Sequence, residues 1–99
     1  MLNGSQVKAD LKEIRYYYQM KQVFDSAKEI IQPKVLLCKV DRYNSVIKNA
    51  PAKLFIIYYS LYVENKTHEG LAEEWGYSRE HITRLNEEMV DFLRKNLMS

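Results

Sequence analysis

The chain has little of the residues that crosslink or interrupt a fold. Its 99 residues include one cysteine, two prolines and three glycines. A single cysteine, Cys38, excludes an internal disulfide and fits a reducing compartment. Scarce proline and glycine favour long, uninterrupted helices. For this length we expect one domain, covering residues 1–99.

Long hydrophobic runs are also missing. No apolar stretch approaches the ~20 residues that a membrane-spanning helix requires, and the first residues, MLNGSQVKADLKE, lack the apolar region of a secretory signal. The sequence therefore predicts no membrane partner and a cytoplasmic location. Hydrophobic residues make up 46% of the chain and charged residues 28%, which is typical of a globular domain.

Patterns that carry catalysis or bind metals are absent as well. The two histidines, His68 and His81, are separated by a predicted turn, and no cysteine lies at metal-ligand spacing. The glutamate pairs at 73–74 and 87–88 are adjacent, so on a helix their carboxylates point in different directions and cannot cooperate as acid and base. No glycine-rich phosphate loop or serine elbow occurs. The sequence predicts that the protein is not an enzyme and needs no cofactor or metal.

Hydrophobic periodicity predicts an all-α fold of about five helices. The predicted helices run from Ser5 or Asp10 to about Gln32, over 34–48, over 51–64, between Thr67 and Gly76, and from Ser78 to about Leu97. Residues 1–50 would form N-terminal helices with a surface available for dimerisation. Residues 51–99 would form a second unit, in which the helix over 51–64 supports the last two.

Residues 67–85, THEGLAEEWGYSREHITRL, have the pattern of two helices joined by a tight turn. Ala72 supplies the small side chain that closely crossing helices need. Gly76 can adopt the left-handed backbone conformation that ends the first helix, and Ser78 can cap the second. We expect a small core around this turn. Its members would be Leu71, Trp75, Tyr77, Ile82 and Leu85.

The spacing of Ala72, Gly76, Ile82 and Leu85 is the one that DNA-binding helix-turn-helix segments share. The wider segment, residues 50–97, resembles the region-four domain of bacterial sigma factors, in which a support helix precedes a helix-turn-helix that starts with serine, arginine and glutamate. The chain is also similar to small phage regulators of the ArpU and RinA kind. These resemblances imply a phage or prophage transcriptional regulator in a bacterial host cell. It would bind double-stranded DNA, as a homodimer or beside RNA polymerase.

Seven residues are candidates for contacts with DNA. They are Lys66, Thr67, Ser78, Arg79, Glu80, Thr83 and Arg84. At 100° per residue, the last four span about 140° of the helix, opposite its predicted apolar seam. Arg79 and Arg84 have the fork that fits guanine, Glu80 could accept a hydrogen bond from cytosine, and the Thr83 methyl group could contact thymine. The resemblance implies DNA-facing roles for Ser78, Arg79, Glu80 and Arg84, while Lys66, Thr67 and Ser78 near the turn could bind phosphates.

The charge distribution leaves two other functions open. Residues 1–64 hold ten Lys and Arg against six Asp and Glu, whereas residues 65–99 hold five against seven. Phosphate contacts dominate DNA affinity, so DNA binding would need a dimer, basic residues of the first half, or a polymerase partner. The acidic second half also fits a helical protein-interaction module that binds polymerase or an antirepressor. The third option rests on a different feature: small terminase subunits also combine a helix-turn-helix with oligomerising helices, so a packaging component of that type remains open.

Overall fold

The computed structural model describes residues 3–26 and 34–97. These residues form five α-helices: α1 (Gly4–Ser26), α2 (Lys34–Ile47), α3 (Ala52–Tyr58), α4 (His68–Trp75) and α5 (Arg79–Asn96). A π-helical turn, Tyr59–Val63, continues α3. The two described ranges contain no strand, so the all-α prediction is confirmed. The predicted end of the first helix, residues 27–33, lies outside the described residues.

None of the helices in the described ranges combines the length and the apolar character needed to cross a bilayer.

The start of α1 is capped by Asn3. Its Oδ1 accepts a hydrogen bond from the Gln6 amide at 2.9 Å, and the Gln6 Oε1 accepts one from the Asn3 amide at 2.8 Å. This reciprocal arrangement satisfies two amides that a helix start otherwise leaves unpaired. The helix therefore begins at Gly4, and the predicted start at Ser5 or Asp10 is wrong. Asp10 instead accepts a hydrogen bond at 2.7 Å from the hydroxyl of Tyr43, which joins α1 to α2.

Helix α5 lies at the centre of the fold, because each of the other four helices packs against it. Its buried residues are Ile82, Leu85, Asn86, Met89, Val90 and Leu93. The remaining core residues are Val7, Leu11, Ile14 and Tyr17 of α1, Val40, Tyr43 and Ile47 of α2, Leu54, Ile57, Tyr58 and Leu61 of α3 and the π-helical turn, Leu71 and Ala72 of α4, and Leu97. These side chains form one connected core, as expected for a helix with an apolar stripe along its whole length.

Hydrogen bonds between tyrosines and asparagines align the helices inside this core. The Tyr62 hydroxyl donates to Oδ1 of the buried Asn86 at 2.7 Å. Asn44 of α2 accepts from the Tyr58 hydroxyl at 2.6 Å and donates to the Tyr18 hydroxyl at 2.9 Å. Burial raises the pKa of Tyr58 and of Tyr62, so both phenols stay protonated donors. Sliding one helix past another would leave these polar groups unpaired, at a cost of about 1–3 kcal/mol each.

The π-helical turn leads the chain from α3 into α4. The Glu64 amide donates to the Tyr59 carbonyl at 2.8 Å, five residues back, where an α-helix would bond four residues back. Asn65 then has a left-handed backbone with φ of 62°, which asparagine tolerates better than most residues. Nη2 of Arg15 donates to the Asn65 carbonyl at 3.2 Å. This bond ties the loop before α4 to α1.

The turn between α4 and α5 follows the sequence prediction. Thr67 caps α4 by accepting from the Gly70 amide at 2.9 Å, and Ser78 caps α5 by accepting from the His81 amide at 3.1 Å. Between them, Gly76 ends α4 in the left-handed conformation with φ of 72°. The caps and the glycine together stop one helix and start the next within three residues.

Tyr77 does not join the core around this turn, and that part of the prediction is wrong. Its side chain is 51% exposed. The reversal at Gly76 directs the following residue away from the interior. The Tyr77 ring packs edge-on against Trp75 and His81, with centroid distances of 6.4 Å and 4.6 Å.

Replacing Gly76 by alanine should destabilise the fold by about 1–2 kcal/mol, because only glycine takes a left-handed backbone without strain. A Cβ at this position meets no atom within 4 Å, so the loss would come from backbone conformation alone. Urea unfolding followed by circular dichroism measures it. Gly4→Ala is the matched control, since its Cβ also enters open space without a left-handed backbone. Equal stability of the two variants would contradict the prediction.

Candidate nucleic-acid interface

The first turns of α5 expose four of the seven candidate residues, Arg79, Glu80, Thr83 and Arg84. Arg79, Glu80 and Thr83 line one shallow cavity of about 280 Å³. On the other side of the helix, Ile82 is fully buried. The exposure of the four side chains is therefore confirmed, and their contact with DNA stays a prediction.

The two arginines of this face have different surroundings. Nη1 of Arg79 lies 3.6 Å from Oε1 of Glu69 on α4. Within residues 3–26 and 34–97, no carboxylate forms an ion pair with Arg84. Arg84 is thus less tied to a neighbouring carboxylate than Arg79, whose charge is partly balanced by Glu69.

Thr67 and Ser78, which cap α4 and α5, can each form one more hydrogen bond. The hydroxyl oxygens of Thr67 and Ser78 already accept hydrogen bonds from the amides of their helices. A hydroxyl group also carries one hydrogen that it can donate. Both residues can therefore cap a helix and donate to an anion at the same time.

Lys66 is less available than the sequence suggests. Its Nζ lies 3.0 Å from a carboxylate oxygen of Glu74 and 3.7 Å from one of Glu64. The hydrogen bond that Nζ donates to Glu74 is the main reason that the pKa of Lys66 lies above its ordinary value. A phosphate would have to draw the ammonium group away from two carboxylates.

Two residues that the sequence analysis did not select, Arg15 and His68, lie beside Arg79. All three residues line a cavity of about 350 Å³ together with Thr67 and Glu69, and we call this cavity the arginine pocket. Its lining comes from α1, from the start of α4 with its cap, and from α5. Nδ1 of His68 is also 3.3 Å from Oγ1 of Thr83 on the exposed face of α5.

Helix α1 brings positive charge to α5 at two points. Arg15 lines the arginine pocket, and Nζ of Lys8 pairs with Glu87 of α5 at 2.9 Å. The two basic residues are seven positions apart, which is about two helical turns and hence one edge of α1. This spacing in the sequence indicates that Lys8 and Arg15 share one edge of α1, but it does not indicate which helix that edge faces.

The pKa of His68 lies below its ordinary value of 6.5. Burial is the largest cause, because it disfavours the charged imidazolium. The guanidinium groups of Arg79 and Arg15 lower the pKa further by repulsion. The free protein therefore holds a neutral imidazole between two cations at neutral pH.

A second concave surface lies on the other side of the α4–α5 turn. It has a volume of about 520 Å³ and we call it the turn groove. Its lining residues are Lys53, Ile56, Trp75, Tyr77, His81 and Leu85. The exposed Tyr77 and Ile56 give it an apolar rim.

Comparison with known proteins adds nothing to this geometry, because no family model, curated protein or solved structure matches the chain. Among the described residues, no three His, Cys, Asp or Glu side chains come together in a way that could hold a metal ion.

The low pKa of His68 predicts a pH-dependent stability. The unfolded chain protonates His68 more readily than the folded chain does. The stability that the neutral His68 gives the folded state is therefore present above the ordinary pKa of 6.5 and is lost as the pH falls below it. Wild type should lose more stability than His68→Gln between about pH 7.5 and about pH 5.5. Urea unfolding at the two pH values tests this. Parallel losses in the two proteins would contradict it.

Proposed function

We propose that this protein is a sequence-specific DNA-binding regulator of transcription, of phage or prophage type, that acts in the cytoplasm of a bacterial host. One observation supports the proposal most directly. The first turns of α5 hold Arg79, Glu80, Thr83 and Arg84 exposed on one face. Recognition helices of helix-turn-helix proteins contact bases with residues of this part of the helix.

In this proposal α4 and α5 act as the helix-turn-helix, and α5 enters the major groove. Arg84 would donate to O6 and N7 of a guanine, Glu80 would accept from N4 of a cytosine, and the Thr83 methyl group would contact a thymine methyl. The hydroxyls of Thr67 and Ser78 would donate to backbone phosphates. Lys66 would add a phosphate contact only after releasing its carboxylates.

The packing behind α5 suits this role. Leu71 and Ala72 of α4 are buried against the same core as Ile82 and Leu85 of α5. The left-handed Gly76 fixes the path between the two helices. A recognition helix that is held in place loses little conformational entropy on binding, because its position is set before the ligand binds.

A homodimer would supply the affinity that a mildly acidic second half lacks. The N-terminal helices carry a groove of about 490 Å³ that is lined by Lys12, Glu13, Tyr16, Val35, Leu36 and Lys39. Tyr16 is 53% exposed and Val35 is 78% exposed. These apolar side chains fit the proposal that residues 1–50 dimerise, which would double the number of phosphate contacts.

The second candidate function is a protein-interaction module, and the turn groove is the observation that favours it. Partly buried Trp75 and exposed Tyr77 lie there beside Ile56. Aromatic side chains of this kind dominate the binding energy of many protein interfaces. RNA polymerase or an antirepressor would then bind at the groove, alongside DNA or in place of it.

Selection of random duplexes on the purified protein should enrich one motif. On that duplex, Arg84→Ala should weaken binding by about 1–3 kcal/mol, because a bidentate contact to guanine is lost. On scrambled duplex the same change should have a much smaller effect. Lys48→Ala is the charge-matched control, since Lys48 lies with Phe55 and Tyr59 in a different cavity. Lack of an enriched motif, or an equal loss on both duplexes, would argue against base recognition.

The protein-interaction candidate has a separate test. If purified bacterial RNA polymerase binds at the turn groove, Tyr77→Ser should weaken that binding by about tenfold or more. Tyr59→Ser is the control, because Tyr59 is similarly exposed on another surface. Affinity for the selected duplex should not change. Equal polymerase binding by the two variants would exclude the groove as its site.

A further inference from the structure

The arginine pocket brings together two cations that are far apart in the sequence. Arg15 comes from α1 and Arg79 from the start of α5, and both line the same cavity of about 350 Å³. Guanidinium groups stay charged at any physiological pH. Two like charges facing one cavity repel each other, so the pocket favours an anion between them.

Glu69 is the carboxylate that lines this pocket, and its hold on Arg79 is loose. The distance between Nη1 and Oε1 is 3.6 Å, and the Glu69 side chain is 76% exposed. Charge-assisted hydrogen bonds of good geometry are shorter, at about 2.7–2.9 Å. Exposed pairs of this kind contribute little stability. A stronger anion can therefore displace Glu69 without disturbing the fold.

Arg15 is held in place before any ligand binds. Its Nη2 donates to the carbonyl of Asn65 at 3.2 Å. This bond uses one of the five donors of the guanidinium group and anchors it to the loop before α4. The remaining donors are directed by an anchored side chain, so less rotamer entropy is lost when an anion binds.

We propose that Arg15 and Arg79 clamp one backbone phosphate of duplex DNA in the arginine pocket, and that Glu69 occupies Arg79 in the free protein until the phosphate displaces it. This inference rests on the proposed DNA-binding function. It assigns Arg15, which lies outside the segment that resembles sigma region four, to the interface. It also assigns Arg79 to the phosphate backbone, which leaves Arg84 as the arginine that reads a base.

His68 links phosphate binding in the arginine pocket to the pH. Three charged groups face His68 in the pocket: Arg15 of α1, Arg79 of α5, and Glu69, which follows His68 on α4. A bound phosphate offsets the repulsion from the two arginines and so favours the imidazolium form. Binding would therefore increase the protonated fraction of His68, and affinity should rise as the pH falls.

Glu69 gives the pocket a second property. A carboxylate that competes with phosphate weakens binding to every duplex, whatever its sequence, because all duplexes present the same backbone. Specific sites overcome this competition with base contacts, and arbitrary sites do not. Glu69 thus lowers the affinity for specific and arbitrary sites by the same factor, and only sites with base contacts stay tightly bound.

The clamp is tested by fluorescence anisotropy with the selected duplex and a scrambled one over a range of salt concentrations. Arg15→Gln should weaken binding to both duplexes by a similar factor. The slope of log K against log salt is negative, and its magnitude should fall by about 1, as expected for one lost phosphate contact. The charge-matched control is Lys48→Gln, because Lys48 lies with Phe55 and Tyr59 in a cavity separate from the arginine pocket and from the groove proposed for dimerisation. This variant should keep the wild-type slope. Arg15→Lys should retain the slope of wild type.

A second pair of variants does not depend on how well the Arg15 substitutions fold. Glu69→Gln should tighten binding to both duplexes by about two- to fivefold. Glu88→Gln removes the same charge and also breaks an exposed ion pair, with Lys53 at 3.3 Å on the α3 side, and should tighten binding less. Between about pH 7.5 and about pH 6, wild type should gain more affinity than His68→Gln.

The outcomes separate the clamp from the proposed function. If wild type binds the selected duplex while Arg15→Gln matches Lys48→Gln in affinity and salt slope, the clamp is overturned and DNA binding stands. Equal effects of Glu69→Gln and Glu88→Gln overturn the role of Glu69. Equal pH dependence of wild type and His68→Gln overturns the proton coupling. If wild type binds no duplex, both the proposed function and the clamp fail.

Discussion

Burial of one side of α5 is the constraint on which the candidate interface depends. Ile82, Met89 and Leu93 are fully buried, and the other four helices all pack around the seam that these residues form. A helix fixed in this way cannot rotate about its axis without exposing apolar surface, at roughly 25 cal/mol per Å². The orientation of its polar face, including Arg84, follows from the core. In the proposed function, affinity and specificity at that face would therefore depend on packing on the opposite side of the helix.

Helix α1 links the stability of the fold to the charge of the interface. Its buried residues Val7, Leu11 and Ile14 hold it in the core, and one edge of the same helix places Lys8 and Arg15 beside α5. The first half of the chain carries the excess of basic residues, and the second half is mildly acidic. Packing α1 on α5 thus brings the missing positive charge to the helix that would read DNA. In the proposed function, residues 1–50 would therefore contribute Lys8 and Arg15 to the DNA interface as well as a surface for dimerisation.

Features set by local chemistry could be predicted from the sequence, and features set by packing could not. The caps Thr67 and Ser78 and the left-handed Gly76 each depend on a few neighbouring residues, so their residue types were sufficient. Periodicity likewise located α2 and α5 to within about two residues. The position of Arg15 beside Arg79 was missed because it depends on which helix α1 contacts. Tyr77 was misplaced because an apolar residue beside a turn can point either way.

The mixture of charges around α5 makes sense if selectivity matters more than affinity. Glu69 on α4 and Glu80 on α5 lie close to Arg79, where a protein built only for tight binding would carry lysine or arginine. Acidic side chains repel the phosphate backbone of every sequence equally, whereas a glutamate opposite a cytosine amino group is attractive at one base. Glu80 would therefore lower nonspecific binding more than it lowers binding at a site with a matching cytosine, whereas Glu69 would lower both by the same factor. On this reasoning the acidic second half, which first suggested a protein partner, is compatible with a DNA reader that discriminates by repulsion as well as by attraction.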